Sequence, residues 1–70
     1  MKYVVIEIQD PNDTISTHVT IHDTREEADS KYYQILSYAA VSNLPKHAAS
    51  LLTDTGKCLK NDYYEREVTE

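Results

Sequence analysis

The chain has 70 residues, a formal charge of −5 and 40% hydrophobic residues. That length fits a single domain, residues 1–70, with a small core, and the composition is globular, not disordered. Twelve acidic residues stand against seven basic ones with no basic cluster, which argues against a nucleic-acid partner because an acidic surface repels phosphate.

The first element is "YVVIEI", which predicts a strand from Lys2 to Gln9. Val4, Ile6 and Ile8 fall on one face, and Tyr3, Val5 and Glu7 on the other. The apolar run is too short for a signal peptide, and no stretch reaches the ~18 residues of a membrane span. The expectation is a cytoplasmic protein without a membrane partner. "DPND" supplies turn residues: Pro11 fixes φ, and Asp or Asn side chains bond the turn backbone. A second strand is predicted from Thr14 to His22, with Ile15, Val19 and Ile21 sharing a face with Thr17. Ser16, His18, Thr20 and His22 take the other face. A four-residue loop, Asp10 to Asp13, pairs Ile8 with Ile15 and Val4 with Val19, leaving both apolar sets on one side. His18 and His22 stand about 13 Å apart on a strand at ~3.3 Å per residue, too far to share one ion. His47 adds no site without a carboxylate brought close, so no metal is expected.

"DTREEADSKYYQILSYAAVSN" carries helix signals in order. Thr24 and Glu27 form a T-x-x-E capping box, and Glu26, Glu27 and Asp29 suit the positive end of the dipole. Ala28, Tyr32, Ile35, Leu36 and Ala39 recur at helical spacing. Asn43 suits the C-terminal cap, and Pro45 prevents continuation.

"HAASLLT", His47 to Thr53, reads as a third strand and "CLKNDYYE", Cys58 to Glu65, as a fourth, joined by the three-residue hairpin loop Asp54-Thr55-Gly56. The lone Cys58 excludes an intramolecular disulfide and a cysteine zinc site. With no neighbour to lower its pKa, Cys58 is expected to be packed and inert. The order is ββαββ. The first and third strands are the most apolar and suit the middle of the sheet; the second and fourth suit its edges. The expected architecture is an α+β two-layer sandwich: a four-stranded antiparallel sheet in the order 2-1-3-4, with one helix on one face. Ile35, Leu36 and Ala39 are expected to meet Val4, Ile6 and Leu51, leaving a bare sheet face around Tyr3, Val5 and His18.

"LLTDTGK" invites a catalytic reading, because Asp-Thr-Gly behind an apolar strand resembles the signature of aspartic proteases, where two carboxylates share a proton. The likeness spans only Leu51 to Gly56. A glycine-rich flap and a second glycine motif are missing, for Gly56 is the sole glycine. The helix also sits where that all-β fold has strands. The motif therefore reads as a turn. No other catalytic constellation and no cofactor motif is present.

Six tyrosines, and no Phe or Trp, are the most informative feature left. Tyrosine joins a large contact area to a polar tip and suits interfaces. On the outer side of the helix, Tyr33, Gln34, Ser37, Tyr38 and Val41 form an uncharged surface, a candidate contact face for a second copy or another protein.

The stretches "MKYVVIEIQ", "EEADSKYYQIL" and "YAAVSNLPKHAASLLTDTG", with tyrosine and Glu near the end, resemble small proteins encoded in phages and prophages of Gram-positive gut bacteria. The resemblance is most specific from Glu27 to Gly56. It implies no activity and no site residues, only the setting of a phage accessory protein in the bacterial cytoplasm or on the virion. The reading from sequence is a non-enzymatic protein-interaction module. A nucleic-acid-associated regulator is the alternative, and a small enzyme the remotest one.

Overall fold

A computed structural model describes residues 1–10, 14–42 and 44–65. The elements are β1 (Tyr3–Asp10), β2 (Ser16–His22), α1 (Arg25–Val41), β3 (Lys46–Thr53) and β4 (Cys58–Glu65). The four strands form one antiparallel sheet in the order β2-β1-β3-β4, with the helix packed on one face. This is the α+β sandwich that the alternation of apolar residues implies.

The helix begins as its capping signal dictates. Thr24 is extended, and its hydroxyl accepts from the Glu27 backbone N–H at 3.2 Å. Arg25 and Asp29 pair one turn apart at 3.0 Å. At the other end the Ser42 N–H reaches the Ala39 carbonyl. Asn43, the expected cap, lies outside the described residues. Ala28, Tyr32, Ile35 and Ala39 are buried and Leu36 packs beside them, so the stripe read from helical spacing is the one that meets the sheet.

The side of the sheet it meets differs from expectation. The core joins the helix to Val5, Ala49 and Leu51, with Tyr3 and Leu59 packed against it. Val4, Ile6 and Ile8 point away from the helix. The reason lies in connectivity. β1 is antiparallel to both β2 and β3, so those two run parallel on either side of it and α1 lies in a crossover between them. Such crossovers are right-handed in nearly all proteins. Strand direction and hydrogen-bond phase therefore choose the covered side, whichever face is more aliphatic.

The β1–β2 register also differs, by two residues. Val4 pairs with Ile21, Ile6 with Val19 and Ile8 with Thr17. A shift of two preserves which face each side chain occupies. The expected register would have set Ile21 opposite Lys2; the observed one gives it an aliphatic neighbour, which stabilises cross-strand pairs.

β3 and β4 are joined as expected. Thr53 N–H bonds the Lys57 carbonyl at 2.9 Å around the loop Asp54-Thr55-Gly56, and Gly56 has φ +91°, where only glycine is unstrained. A register shift between Leu51 and Leu52 leaves Leu59 as an extra residue on β4, directed to the core.

Candidate functional site

Two surfaces stand out, one on each layer. On the helix, the residues singled out from sequence, Tyr33, Gln34, Ser37, Tyr38 and Val41, are all exposed. Tyr33 leans toward β4. Its hydroxyl accepts from Lys60 Nζ at 2.6 Å, and the same ammonium sits 4.5 Å from its ring centroid, a cation–π contact. Its ring also meets Tyr32 edge-on at 5.3 Å. Gln34 lies on the opposite flank, where an open groove of ≈ 490 Å³ runs past His22, Glu26, Glu27, Ser30 and Lys31. Ser37, Tyr38 and Val41 remain on the outer ridge, with Tyr38 60% and Val41 80% exposed.

The second surface is the side of the sheet away from the helix. There β1 contributes Val4, Ile6 and Ile8, and β2 contributes Thr17, Val19 and Ile21 in register beside them. β3 contributes Ala48, Ser50 and Leu52, and β4 adds Asn61 and Tyr63. None of these residues is charged. Val19, Ile21 and Tyr63 are 56%, 65% and 69% exposed. Charge appears at both ends: in the row Asp10–Lys46–Glu65, which carries both signs, and in the Lys2–Asp23 ion pair beyond Val4 and Ile21. Sequence reasoning found this aliphatic set but assigned it to the core. The signal that would have corrected it is the parallel relation of β2 and β3, read together with the handedness of crossovers.

Beneath the helix lies a polar cluster that the sequence did not reveal. His47 is buried on β3, and its Nε2 lies 2.8 Å from Glu7 Oε2. Gln9 Nε2 donates to the same oxygen at 3.1 Å. An ionised carboxylate only accepts, so His47 carries a proton on Nε2; its Nδ1 is buried with no partner among the described residues. Burial acts to raise the Glu7 pKa and is the largest single influence. The hydrogen bonds from His47 and Gln9, with the charges of His47 and Lys31, together outweigh it and hold Glu7 below its ordinary value. A carboxylate is thus brought to His47. Among the described residues, however, no group of three or more His, Cys, Asp or Glu is placed to hold a metal ion.

The Asp-Thr-Gly segment is occupied structurally. Asp54 Oδ2 accepts from the Lys2 backbone N–H at 3.0 Å, and the Asp54 N–H donates to the Lys2 carbonyl at 3.0 Å. Thr53 Oγ1 accepts from the Lys57 N–H at 3.1 Å. The two Asp54 bonds clamp the loop to the start of β1. Cys58, expected to be packed, is exposed: it opens the edge strand β4 just before the bulge, in register with Leu52 on β3. Both histidines lie on the strand; His18 is exposed, whereas His22, expected to be exposed as well, is half-buried. No described helix is long and apolar enough to cross a membrane.

No family model matches the chain, and no curated protein or solved structure shows significant similarity to it.

Proposed function

We propose that this chain is a small non-enzymatic protein-interaction module whose contact surface is the open face of its sheet. One observation carries the reading: a contiguous uncharged face, aliphatic along β1 and at Val19 and Ile21 of β2, on a domain whose own helix covers the other side. Monomers rarely expose large contiguous apolar patches, and those that do mostly use them for binding. The outer ridge of α1, with Tyr38 and Val41 exposed, supports a second reading in which the helix makes the contact. The resemblance of Glu27 to Gly56 to phage-encoded proteins supports an accessory role in infected bacteria. The net charge of −5 favours a protein partner over nucleic acid.

Affinity capture from infected cells tests the reading with three baits: parent, Val19→Lys and Tyr38→Lys. Loss of a captured protein with Val19→Lys alone supports the sheet face. Loss with Tyr38→Lys alone moves the site to the helix. A set of captured proteins unchanged by either variant overturns both.

A further inference from the structure

We propose that the occupant of the open sheet face is a second copy of this chain, packed sheet to sheet about a two-fold axis that runs along the strands between β1 and β3. This rests on the reading of the open face as a contact surface and goes further by naming what covers it.

The face is not flat. β1 raises a ridge of Val4, Ile6 and Ile8, whereas its neighbour β3 presents Ser50 level with Ile6 and Ala48 level with Ile8, and closes this trough with Leu52 level with Val4. Over the two levels of Ile6 and Ile8, a ridge beside a trough is self-complementary under one operation, and at the third level Val4 meets the partner's Leu52, apolar on apolar. A two-fold along the strands exchanges β1 with the partner's β3 and β2 with the partner's β4, keeping every residue at its level. It sets Ile6 over the partner's Ser50 and Ile8 over the partner's Ala48, and the reverse pair forms at once, as an isologous interface requires. The same operation brings Tyr63 over the partner's Thr17, again a large side chain on a small one. The aligned packing of two sheets accommodates this within their twist.

Charge and area agree with it. Two chains of −5 repel, but none of that charge lies inside the face. At the Asp10 end each Lys46 already lies 3.9 Å from the buried Asp10 of its own chain, so the two-fold brings together two pairs of opposite sign and no unopposed like charges. Four strands spaced about 4.8 Å, three of eight residues and one of seven, give a face of about 500 Å², so two faces remove on the order of 1,000 Å², the lower bound for a specific interface.

Sedimentation equilibrium of the full chain in the micromolar range tests the proposal. The expected species is twice the 8.0 kDa chain mass. Val19→Lys places a charge on the face from an edge strand, where the monomer fold does not depend on it. It should weaken association at least about tenfold with an unchanged far-UV circular dichroism spectrum. Ser50→Leu is the sharper variant: it makes the face more apolar yet fills the trough. Ridge-in-trough packing expects association weakened by about tenfold or more; equal or tighter association overturns it. A parent that sediments at 8.0 kDa throughout also overturns the second copy. If Val19→Lys then still removes a captured protein, the contact-surface reading survives; if it removes nothing, both fall.

Discussion

Tyr32 Oη donates to Asp62 Oδ2 at 2.6 Å, a bond that ties the middle of the helix to the edge strand β4 across 30 residues of chain. The ring is fully buried, and burial together with the nearby carboxylate raises the phenol pKa well above its ordinary value. Tyr32→Phe keeps the ring and removes the donor. It should cost about 1–2 kcal/mol, read as a lower urea midpoint at constant m-value. An unchanged midpoint would show that the bond contributes nothing net.

The covered face of the sheet can be tested by a pair of neighbours. Val5 is fully buried against the helix, whereas Val4 points to the open side. At concentrations low enough to exclude association, Val5→Ala should cost about 1–3 kcal/mol and Val4→Ala less than half of that. Ile35→Ala, on the facing helix stripe, should cost about 2–4 kcal/mol. A larger loss from Val4→Ala than from Val5→Ala, seen in thermal melts of both, would reverse the face assignment.

Glu7 sets an acid limit. Its folded pKa lies below the ordinary value, so its contribution to stability is fully present above about pH 4.3 and is lost as pH falls through the folded value. Glu7→Gln keeps an acceptor for His47 Nε2 and removes the titration. Denaturation midpoints measured from pH 6 to about pH 3 should fall less steeply for the variant over the acid end of that range. Parallel curves would assign the acid loss elsewhere.

Gly56 at φ +91° has no atom within 4 Å of where a Cβ would stand, so substitution there is strained by the backbone alone and meets no clash. Gly56→Val should cost about 1–3 kcal/mol. Gly56→Asn, which tolerates this region better, should recover part of it, and equal melting temperatures for all three chains would contradict the strain.

Asp54 serves the fold. Asp54→Asn keeps a carbonyl oxygen for the Lys2 N–H, so it should change stability by less than about 1 kcal/mol. Asp54→Ala removes the acceptor, and faster hydrogen exchange at the Lys2 amide should report it. Protection equal in both variants would mean that the backbone bond from Asp54 to Lys2 suffices.

The architecture was legible because local signals agree. Thr24 caps the helix, Ile35 and Ala39 recur at its period, and Gly56 marks the turn that it makes. Strand order followed from the polar character of β2 and β4. What was not legible depends on three-dimensional handedness and long-range pairing. β1 is apolar on both faces, so alternation alone does not say which of Val4 and Val5 the helix covers. His47 and Glu7 are 40 residues apart, and only the β1–β3 register brings them together. The bond from Lys60 to Tyr33 was equally hidden, because the two residues, 27 apart in the chain, meet only once β4 is in place.

The strand order has a kinetic consequence. β1 borders β2, which follows it directly, and β3, which arrives only after the helix; Tyr3 pairs with both His22 and Thr53. A nascent chain can close the first hairpin early, but until β3 docks that hairpin has no core on either side. Closing the long β1–β3 loop precedes any burial of Val5 between helix and sheet, so that step should limit the rate of folding. Two quick local hairpins and a helix thus wait on one slow encounter between the beginning of the chain and its last third.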